Sequence, residues 1–112
     1  MKNQVNLIGH VGADPQVKLV GYKQTKKAEF NLATNKSWKN EAGEKTEKVQ
    51  WHSIEAWGAI ATITESYVKK GMLISITGEI EYNIYDDKDG AKKNFTKIVA
   101  NEIKMLSSPK DS

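Results

Sequence analysis

Residues 49–80, VQWHSIEAWGAIATITESYVKKGMLISITGEI, contain a strand pattern, a helix pattern and a second strand pattern, in that order. The side chains of residues 49–57 alternate between two faces, as they do in a strand with one buried side. Residues 59–70 instead repeat apolar side chains at helical spacing, and Gly71 predicts the end of that helix. Alternation resumes at residue 72. One short helix between two strands is therefore the feature that decides the fold.

Strand patterns also cover the rest of the chain. The five predicted strands are residues 4–12, 27–38, 45–57, 72–85 and 93–106. Residues 17–20 can continue the first strand, and the Asp-Gly pair at 89–90 predicts a hairpin turn before the last. Five strands with a helix between the third and the fourth is the order of the oligonucleotide-binding barrel, an all-β fold with one short helix. A five-stranded sandwich is the alternative.

The candidate core follows from the predicted inner faces of these elements. Ile60, Ile63 and Tyr67 share one face of the helix, and two lysines before its glycine form a basic last turn. Phe30 and Tyr82 lie on the apolar faces of their strands. We therefore expect Phe30, Tyr67 and Tyr82 to be buried.

The chain has 112 residues, which suits a single domain, predicted over residues 1–106 with a short disordered tail at 107–112. With 38% apolar and 28% charged residues, its composition is that of a globular protein. The absence of cysteine excludes disulfides and thiolate metal sites, and it fits a reducing cytoplasm. No stretch approaches the roughly 20 apolar residues that span a bilayer, and the N-terminus has no signal-peptide core. We therefore expect a cytoplasmic protein with no membrane partner.

The charge of the chain is mildly basic. Seventeen basic residues against 14 acidic ones give a net charge of +3 and a pI near 9.0, and all seventeen are lysine. Lysine is a mobile point charge, whereas arginine supplies the rigid fork that recognises guanine edges. A lysine-only surface therefore suits phosphate contact better than sequence recognition, although lysine-rich codon usage explains the composition equally well.

Two tryptophans occupy an unexpected face of the third strand. Trp51 and Trp57 share their face with Ser53 and Glu55, while the opposite face already supplies aliphatic residues for a core. Exposed indoles reduce solubility unless they bind something flat, and unpaired bases are the obvious ligand. Six residues at about 3.3 Å each separate the two rings by about 20 Å, far enough to serve different nucleotides.

Other aromatic residues are harder to assign. Trp38 has the parity of Phe30 and Leu32, so it points outward only if a bulge or the start of the loop shifts the register. Tyr85 lies on the polar face beside a hairpin and is a candidate further platform. Phe95 is left unassigned.

The sequence contains no catalytic set. His52 lies on the aliphatic face of its strand, where a lone histidine is more often a structural or interface residue than a ligand. The acidic hairpin at residues 86–90 lacks the closing glutamate of a calcium loop and is interpreted as a solvated turn. We therefore predict a protein that is not an enzyme and that uses no cofactor and no metal.

Seven segments together resemble a known family. They occur in order with ordinary loop lengths: NLIGHVGADPQVK, FNLATNKSW, QWHSIEAWG, ESYVKKG, ISITGEIE, YDDKDG and KIVANEIKML. The set resembles the bacterial single-stranded DNA-binding proteins over essentially the whole chain. The resemblance implies an oligonucleotide-binding barrel that coats single-stranded DNA in replication, recombination and repair, beside the bacterial nucleoid. It also implies a homotetramer, with a dimer as the alternative.

The resemblance also assigns residues. It implies that Trp38, Trp51, Trp57 and Tyr85 stack on bases and that His52 takes part in subunit assembly. Candidates for phosphate contact are the lysines Lys18, Lys36, Lys39, Lys45, Lys48, Lys88, Lys92 and Lys93.

The chain departs from the family at three places. Basic residues of the family are replaced by Ser53, Ala59, Glu81, Asn83 and Ile84. Glu55 and Glu81 add negative charge near the expected path of the DNA, so we predict binding with a weak dependence on salt. The family's long tail with an acidic, hydrophobic tip is absent, which puts recruitment of replication and repair enzymes through that tip in doubt. Phe95 stands one position later than the aromatic common in the family, so its face is open.

Other functions fit parts of the pattern. A restart factor similar to primosomal replication protein N would prefer a helicase partner, and a barrel that binds single-stranded RNA would share the aromatic face. A metal-dependent nuclease would need the acidic hairpin, with Asp87 and Asp89, to hold a cation. A structural dimer would bury the tryptophans between subunits.

Overall fold

The computed structural model describes residues 3–107, apart from the side chain of Tyr85. Its elements are β1 (Val5–Val11), β2 (Gln16–Val20), β3 (Thr25–Lys39), β4 (Lys45–Trp57), α1 (Gly58–Tyr67), β5 (Leu73–Asp86) and β6 (Lys92–Met105). Within the described residues, no helix is long and apolar enough to cross a membrane.

The strands close into a barrel. They follow the order β1-β5-β6-β4-β3, and β1 returns to pair with β3 at His10 with Ala33 and Val11 with Leu32. All neighbours are antiparallel except β4 and β6, which form a short parallel pair. The predicted five-stranded oligonucleotide-binding barrel is therefore confirmed, and the sandwich is excluded because the sheet closes.

The predicted first strand is interrupted before residues 17–20. Gly12 to Pro15 separate β1 from β2, yet both strands pair with β3 in the same antiparallel sense. The segment therefore continues the first strand after a break, as the sequence suggested. β2 lies beside β3 at the edge of the sheet and does not take part in closure.

Two glycines permit the close strand contacts of the barrel. A side chain at Gly9 would collide with the carbonyl oxygen of Ala33, where β1 meets β3. A side chain at Gly78 would collide with the carbonyl oxygen of Val99, where the pairing of β5 and β6 shifts register. Closure thus depends on backbones that approach closely at positions without a Cβ.

The core fills the space between the barrel and α1. Its buried apolar residues are Val11, Ala28, Phe30, Leu32, Ile54, Ala56, Ala61, Val68, Met72, Ile74, Ile76, Ile98 and Ala100. On β3 and β4 these are the even-numbered residues, which is the face that the alternation predicted.

The buried face of α1 differs from the predicted one. Ala61, Thr64 and Val68 are fully buried, whereas Ile63 and Tyr67 are 37% and 61% exposed, so the core assignment of Tyr67 is wrong. The small side chain of Ala61 allows the helix to approach the barrel closely. Thr64 tolerates burial because its hydroxyl donates to the carbonyl of Ile60, at 2.8 Å.

The helix also ends earlier than predicted. Val68 is extended, although its N–H still donates to the carbonyl of Thr64 at 3.0 Å. Lys69 and Lys70 therefore lie beyond the helix rather than in its last turn. Gly71, at φ +88°, then turns the chain into β5.

The β3–β4 and β5–β6 hairpins extend beyond the barrel. The second of them explains why the prediction that Tyr82 is buried is wrong. Tyr82 and Ile84 follow the apolar alternation of β5, yet they are 75% and 67% exposed. Here β5 pairs with β6, out to Asp86 opposite Lys92, and among the described residues no further element covers this face. At the tip, the Asp87 carboxylate accepts the N–H groups of residues 89 and 91, which makes the acidic run a capped turn.

The predicted tail begins at Ser107, the last described residue, and the domain boundary placed before it remains a prediction. Ser107 exchanges hydrogen bonds with the backbone of Leu73, at 2.9 and 3.2 Å. Residues 108–112 of the predicted tail lie outside the described residues.

Candidate nucleic-acid interface

The odd-numbered residues of β4 share one face, which carries two exposed indoles. Trp51 and Trp57 are 61% and 36% exposed, while Ile54 and Ala56 on the opposite side are buried. Ser53 lies between the rings, opposite Asn31 of β3. The two faces predicted for this strand are therefore confirmed. The exposed side is called the indole face below, defined by Trp51, Ser53, Glu55 and Trp57 with their neighbours on β3.

Trp51 depends on a glycine outside its own strand. A Cβ placed on Gly12 would lie 2.5 Å from Cζ3 of the Trp51 ring, so the ring rests against that backbone. Gly12 is held there because its N–H donates to the carbonyl of Asn31, at 2.9 Å. The end of β1 thus supports the indole from one side while more than half of its surface remains exposed.

Trp57 is fixed by two polar contacts. Its Nε1–H donates to a carboxylate oxygen of Glu55, at 2.5 Å. The ammonium of Lys27 lies 5.5 Å from the centroid of its ring, which is within the range of a cation–π contact. Gly58, at φ +57°, then turns the chain directly into α1. The ring is therefore held at the junction of strand and helix.

Glu55 is the buried charge of the indole face, with only 5% of its surface exposed. Its Oε2 lies 2.9 Å from the ammonium of Lys97 and 3.7 Å from that of Lys27. Burial by itself would raise the pKa of Glu55. Hydrogen bonds from Lys97 and Trp57, with the charges of Lys97 and Lys27, outweigh burial and hold the pKa below its usual value. The carboxylate therefore remains charged. The sequence suggested that this charge faces the DNA path, but the structure buries it and pairs it with two lysines.

Lys97 of β6 contacts the indole face through its ion pair with Glu55. Phe95, two residues earlier on the same strand, is 44% exposed and lies opposite Asn83. Together with Asn31 and Ser53, it lines a groove of about 270 Å³. Phe95, which the sequence left unassigned, therefore shares this groove with Ser53 of the indole face. The parity of β6 alone could not place it, because a register shift interrupts its pairing with β5.

Trp38 lies on the other side of the β3–β4 hairpin. It is 42% exposed and lines a separate groove of about 410 Å³ with Lys36, Lys48 and Gln50. The pairing of the two strands is continuous from Lys27 with Trp57 to Lys39 with Lys45. Trp38 thus keeps the parity of the core residues. The predicted need for a bulge is wrong, because the hairpin leaves the barrel before Trp38 and exposes both of its faces.

The remaining site residues are distributed over the hairpins and β2. The eight candidate phosphate-binding lysines are all exposed, but three of them have carboxylate neighbours. Lys18 lies 3.6 Å from Glu29, Lys45 lies 3.3 Å from Glu47, and Lys93 lies 4.0 Å from Asp87. Tyr85 is in β5 opposite Lys93, and its side chain is outside the described part of the chain.

The sequence analysis did not identify two lysines that contact the indole face. Lys27 lies opposite Trp57, and Lys97 reaches Glu55 from the neighbouring strand β6. The parity of Lys27 could have placed it on this face once the register of β3 and β4 was known. No local signal could have brought Lys97 to Glu55, because 42 residues separate them.

His52 is half-buried on the side of β4 that also carries Gln50. Its Nε2 lies 2.9 Å from the hydroxyl of Thr34 on β3, an interaction that fixes the ring across the hairpin. This contact is compatible with the structural reading of His52. Its role in subunit assembly remains a prediction.

Comparison with known proteins places this geometry in a family. The sequence model of the single-strand binding protein family matches residues 2–106. The chain belongs to that family. It is thereby a single-stranded DNA-binding protein and not an enzyme, as the sequence predicted.

Individual family members are similar along most of this chain. Single-stranded DNA-binding protein 1 of Chlorobaculum tepidum is 40% identical over 111 residues, which cover 98% of this chain and 67% of that protein. The single-stranded DNA-binding protein of Neisseria meningitidis serogroup A is 38% identical over 104 residues, covering 93% and 59%. The chain thus spans about three fifths to two thirds of the length of these relatives.

A solved structure also matches the fold of this chain. A Plasmodium falciparum SSB in complex with single-stranded DNA superposes with a TM-score of 0.88 at 26% sequence identity, covering 96% of this chain and 97% of that one. The match over nearly the full length of both chains extends the family assignment from sequence to architecture.

Proposed function

We propose that this chain coats single-stranded DNA without regard to sequence, during replication, recombination and repair. Bases stack on Trp51 and Trp57, with Trp38 and Tyr85 as further platforms, while the exposed lysines attract the backbone. One observation carries the proposal. The largest apolar side chains of β4 remain open to solvent, although the opposite face of the same strand already supplies the core.

The chemistry of stacking accounts for the choice of ligand. Every base has a π face, so an indole platform accepts all four, and each stacked base contributes about 1–3 kcal/mol. Bases in a duplex are already stacked on each other and cannot lie on a side chain without unpairing. A preference for unpaired strands follows from this difference.

Assembly and location complete the proposal. We propose a homotetramer, with a dimer as the alternative, in which His52 contributes to the contact between subunits. We also propose a cytoplasmic location beside the bacterial nucleoid, which family membership supports. Enzymes recruited by a C-terminal tail are not part of the proposal.

Titration with thymidine homopolymer, followed by tryptophan emission, tests the function. We expect strong quenching by the single strand at neutral pH and weak quenching by a duplex of the same length. An RNA oligomer of matched length separates a DNA-binding protein from the RNA-binding alternative. Unchanged emission across the titration would refute stacking, and with it the proposed function.

Single substitutions then test the platforms. Trp51→Ala and Trp57→Ala should each weaken binding by about 1–3 kcal/mol. Tyr67→Ala is the matched control, because it removes an exposed aromatic side chain from the end of α1, away from the indole face. An affinity that falls equally in all three variants would contradict the assignment of the site.

A further inference from the structure

Glu55 stands out on the indole face because it is a carboxylate where the bound DNA brings negative charge. We propose that Glu55 is a positioning residue that fixes the indole of Trp57 as a stacking platform and holds Lys27 and Lys97 away from phosphate. This inference rests on the proposed function, because it assigns roles at the same site.

The first part of the role follows from the hydrogen bond to the ring. An exposed indole at the end of a strand can otherwise rotate, and a mobile ring loses conformational freedom when a base stacks on it. The Nε1–H bond to Glu55 fixes the plane of the Trp57 ring before the ligand arrives. Lys27 lies over the same ring, 5.5 Å from its centroid, and adds a second contact that restricts its rotation.

The second part follows from the burial of the lysines. The side chains of Lys27 and Lys97 are only 21% and 20% exposed, against 6% for Glu55. Both ammonium groups lie beside the buried carboxylate of Glu55, and each also has a more exposed carboxylate nearby, Glu29 at 3.5 Å from Lys27 and Glu81 at 3.9 Å from Lys97. A lysine paired in this way does not replace a condensed counterion when the strand binds, so it adds nothing to the salt dependence.

An exposed ion pair on the same strand shows the contrast. Lys45 and Glu47 lie 3.3 Å apart, but their side chains are 70% and 66% exposed. Such a pair is weak and exchanges readily with solvent, so Lys45 stays free to contact phosphate. Burial, rather than proximity alone, therefore distinguishes the lysines that Glu55 holds.

The slope of log affinity against log salt measures the number of lysines released. Glu55→Gln removes the charge but keeps an acceptor for the Trp57 ring, and Glu47→Gln is the matched control. Both variants lose one negative charge from the same face of β4. We expect Glu55→Gln to steepen the slope by about 0.7 for each released lysine, about 1.4 for two, with little change in the control. Equal slopes in the two variants would overturn the proposal.

A second pair of variants removes one lysine at a time and retains Glu55 itself, which keeps Lys27 and Trp57 as partners in Lys97→Met. Lys48→Met, which removes an exposed lysine of the β3–β4 hairpin, should make the slope shallower by about 0.7. Lys97→Met should leave the slope of the parent protein unchanged. A loss of slope in Lys97→Met as large as that in Lys48→Met would show that Lys97 contacts phosphate.

The anchoring role has its own readout. Glu55→Ala removes the acceptor that Glu55→Gln retains, so the two should differ at salt high enough to suppress phosphate contacts. There we expect Glu55→Ala to bind more weakly than Glu55→Gln, by up to the loss that Trp57→Ala causes. Thermal unfolding of each variant verifies that the folded protein is being compared. Equal affinities would overturn the anchoring role.

The outcomes separate the two proposals. If the parent protein shows no quenching with thymidine homopolymer, the proposed function itself fails. If the parent binds but the Glu55 and Glu47 variants coincide, only the role of Glu55 fails.

Discussion

At the scale of single residues, Gly12 and Trp51 form one unit. The indole can lie against the end of β1 only because position 12 has no side chain. The glycine contributes nothing to the ligand directly. It determines the position of the Trp51 ring. Gly12 in the segment NLIGHVGADPQVK therefore matters for the binding surface as well as for the turn after β1.

Gly12→Ala should weaken binding of single-stranded DNA while leaving the barrel folded. The new Cβ would lie 2.5 Å from Cζ3 of Trp51, and the far end of the indole can move away more easily than the backbone. We expect a loss of affinity no larger than that of Trp51→Ala, measured by quenching. In the Trp51→Ala background the same glycine change should have no further effect. Additive losses in the double variant would mean that Gly12 acts elsewhere.

The sequence could predict which residues of β4 face outward, because side-chain alternation is a local property of a strand. It could not predict that Glu55 is buried there. The groups that bury and neutralise it come from β3 and β6, and only the closed barrel brings them to β4. Charge at a surface position is thus visible in a sequence, but its partners are not.

At the scale of elements, one error concerns what covers a face of β5 and the other concerns which face of α1 is buried. Tyr82 has the parity of the core, yet β5 continues past the barrel and leaves it exposed. The face of α1 was misplaced because the prediction followed the helical spacing of Ile60, Ile63 and Tyr67, of which only Ile60 packs against the core. Close packing against the barrel instead buries the smaller Ala61 and Thr64. The spacing of apolar residues predicts whether a segment is a strand or a helix. The depth of its burial depends on neighbours distant in sequence.

Glu55 links three strands, and this linkage should appear as acid sensitivity. Its folded pKa is lowered from the usual 4.5, so its ionised form stabilises the folded state. That contribution is complete above pH 4.5 and is lost as the pH falls through the lower, folded value. Urea unfolding across this range should therefore show the parent losing more stability on acidification than Glu55→Gln does. A difference between the two proteins that stays constant with pH would contradict this expectation.

At the scale of the whole molecule, the order of the elements and the barrel were predictable, but the individual contacts that close the barrel were not. The position of the helix between the third and fourth strands was enough to favour a barrel over a sandwich. The contacts that close it depend on Gly9 and Gly78, whose close approaches to other strands leave no mark in the local pattern. The distribution of charge is also a property of the whole molecule, because the net charge of +3 counts many lysines that have acidic neighbours.

Salt should weaken binding less than the number of lysines suggests. Eight lysines in contact with phosphate would give a slope of about −5.6 in log affinity against log salt. We expect a shallower slope, because the exposed Glu81 adds negative charge near the expected path of the DNA, and Ser53, Asn83 and Ile84 stand where the family has basic residues. Titration of thymidine homopolymer at several salt concentrations measures it. A slope as steep as −5.6, or as steep as that of an arginine-rich homologue, would contradict the prediction.

The two sides of the β3–β4 hairpin impose a route on anything that binds to both. Trp38 belongs to one side and Trp51 to the other, so a straight oligonucleotide laid along the barrel can meet only one of them. A strand that reaches both rings has to wind around the edge of this two-stranded ribbon. The length of an oligonucleotide, more than its attraction to any single ring, should then determine how many indoles it touches.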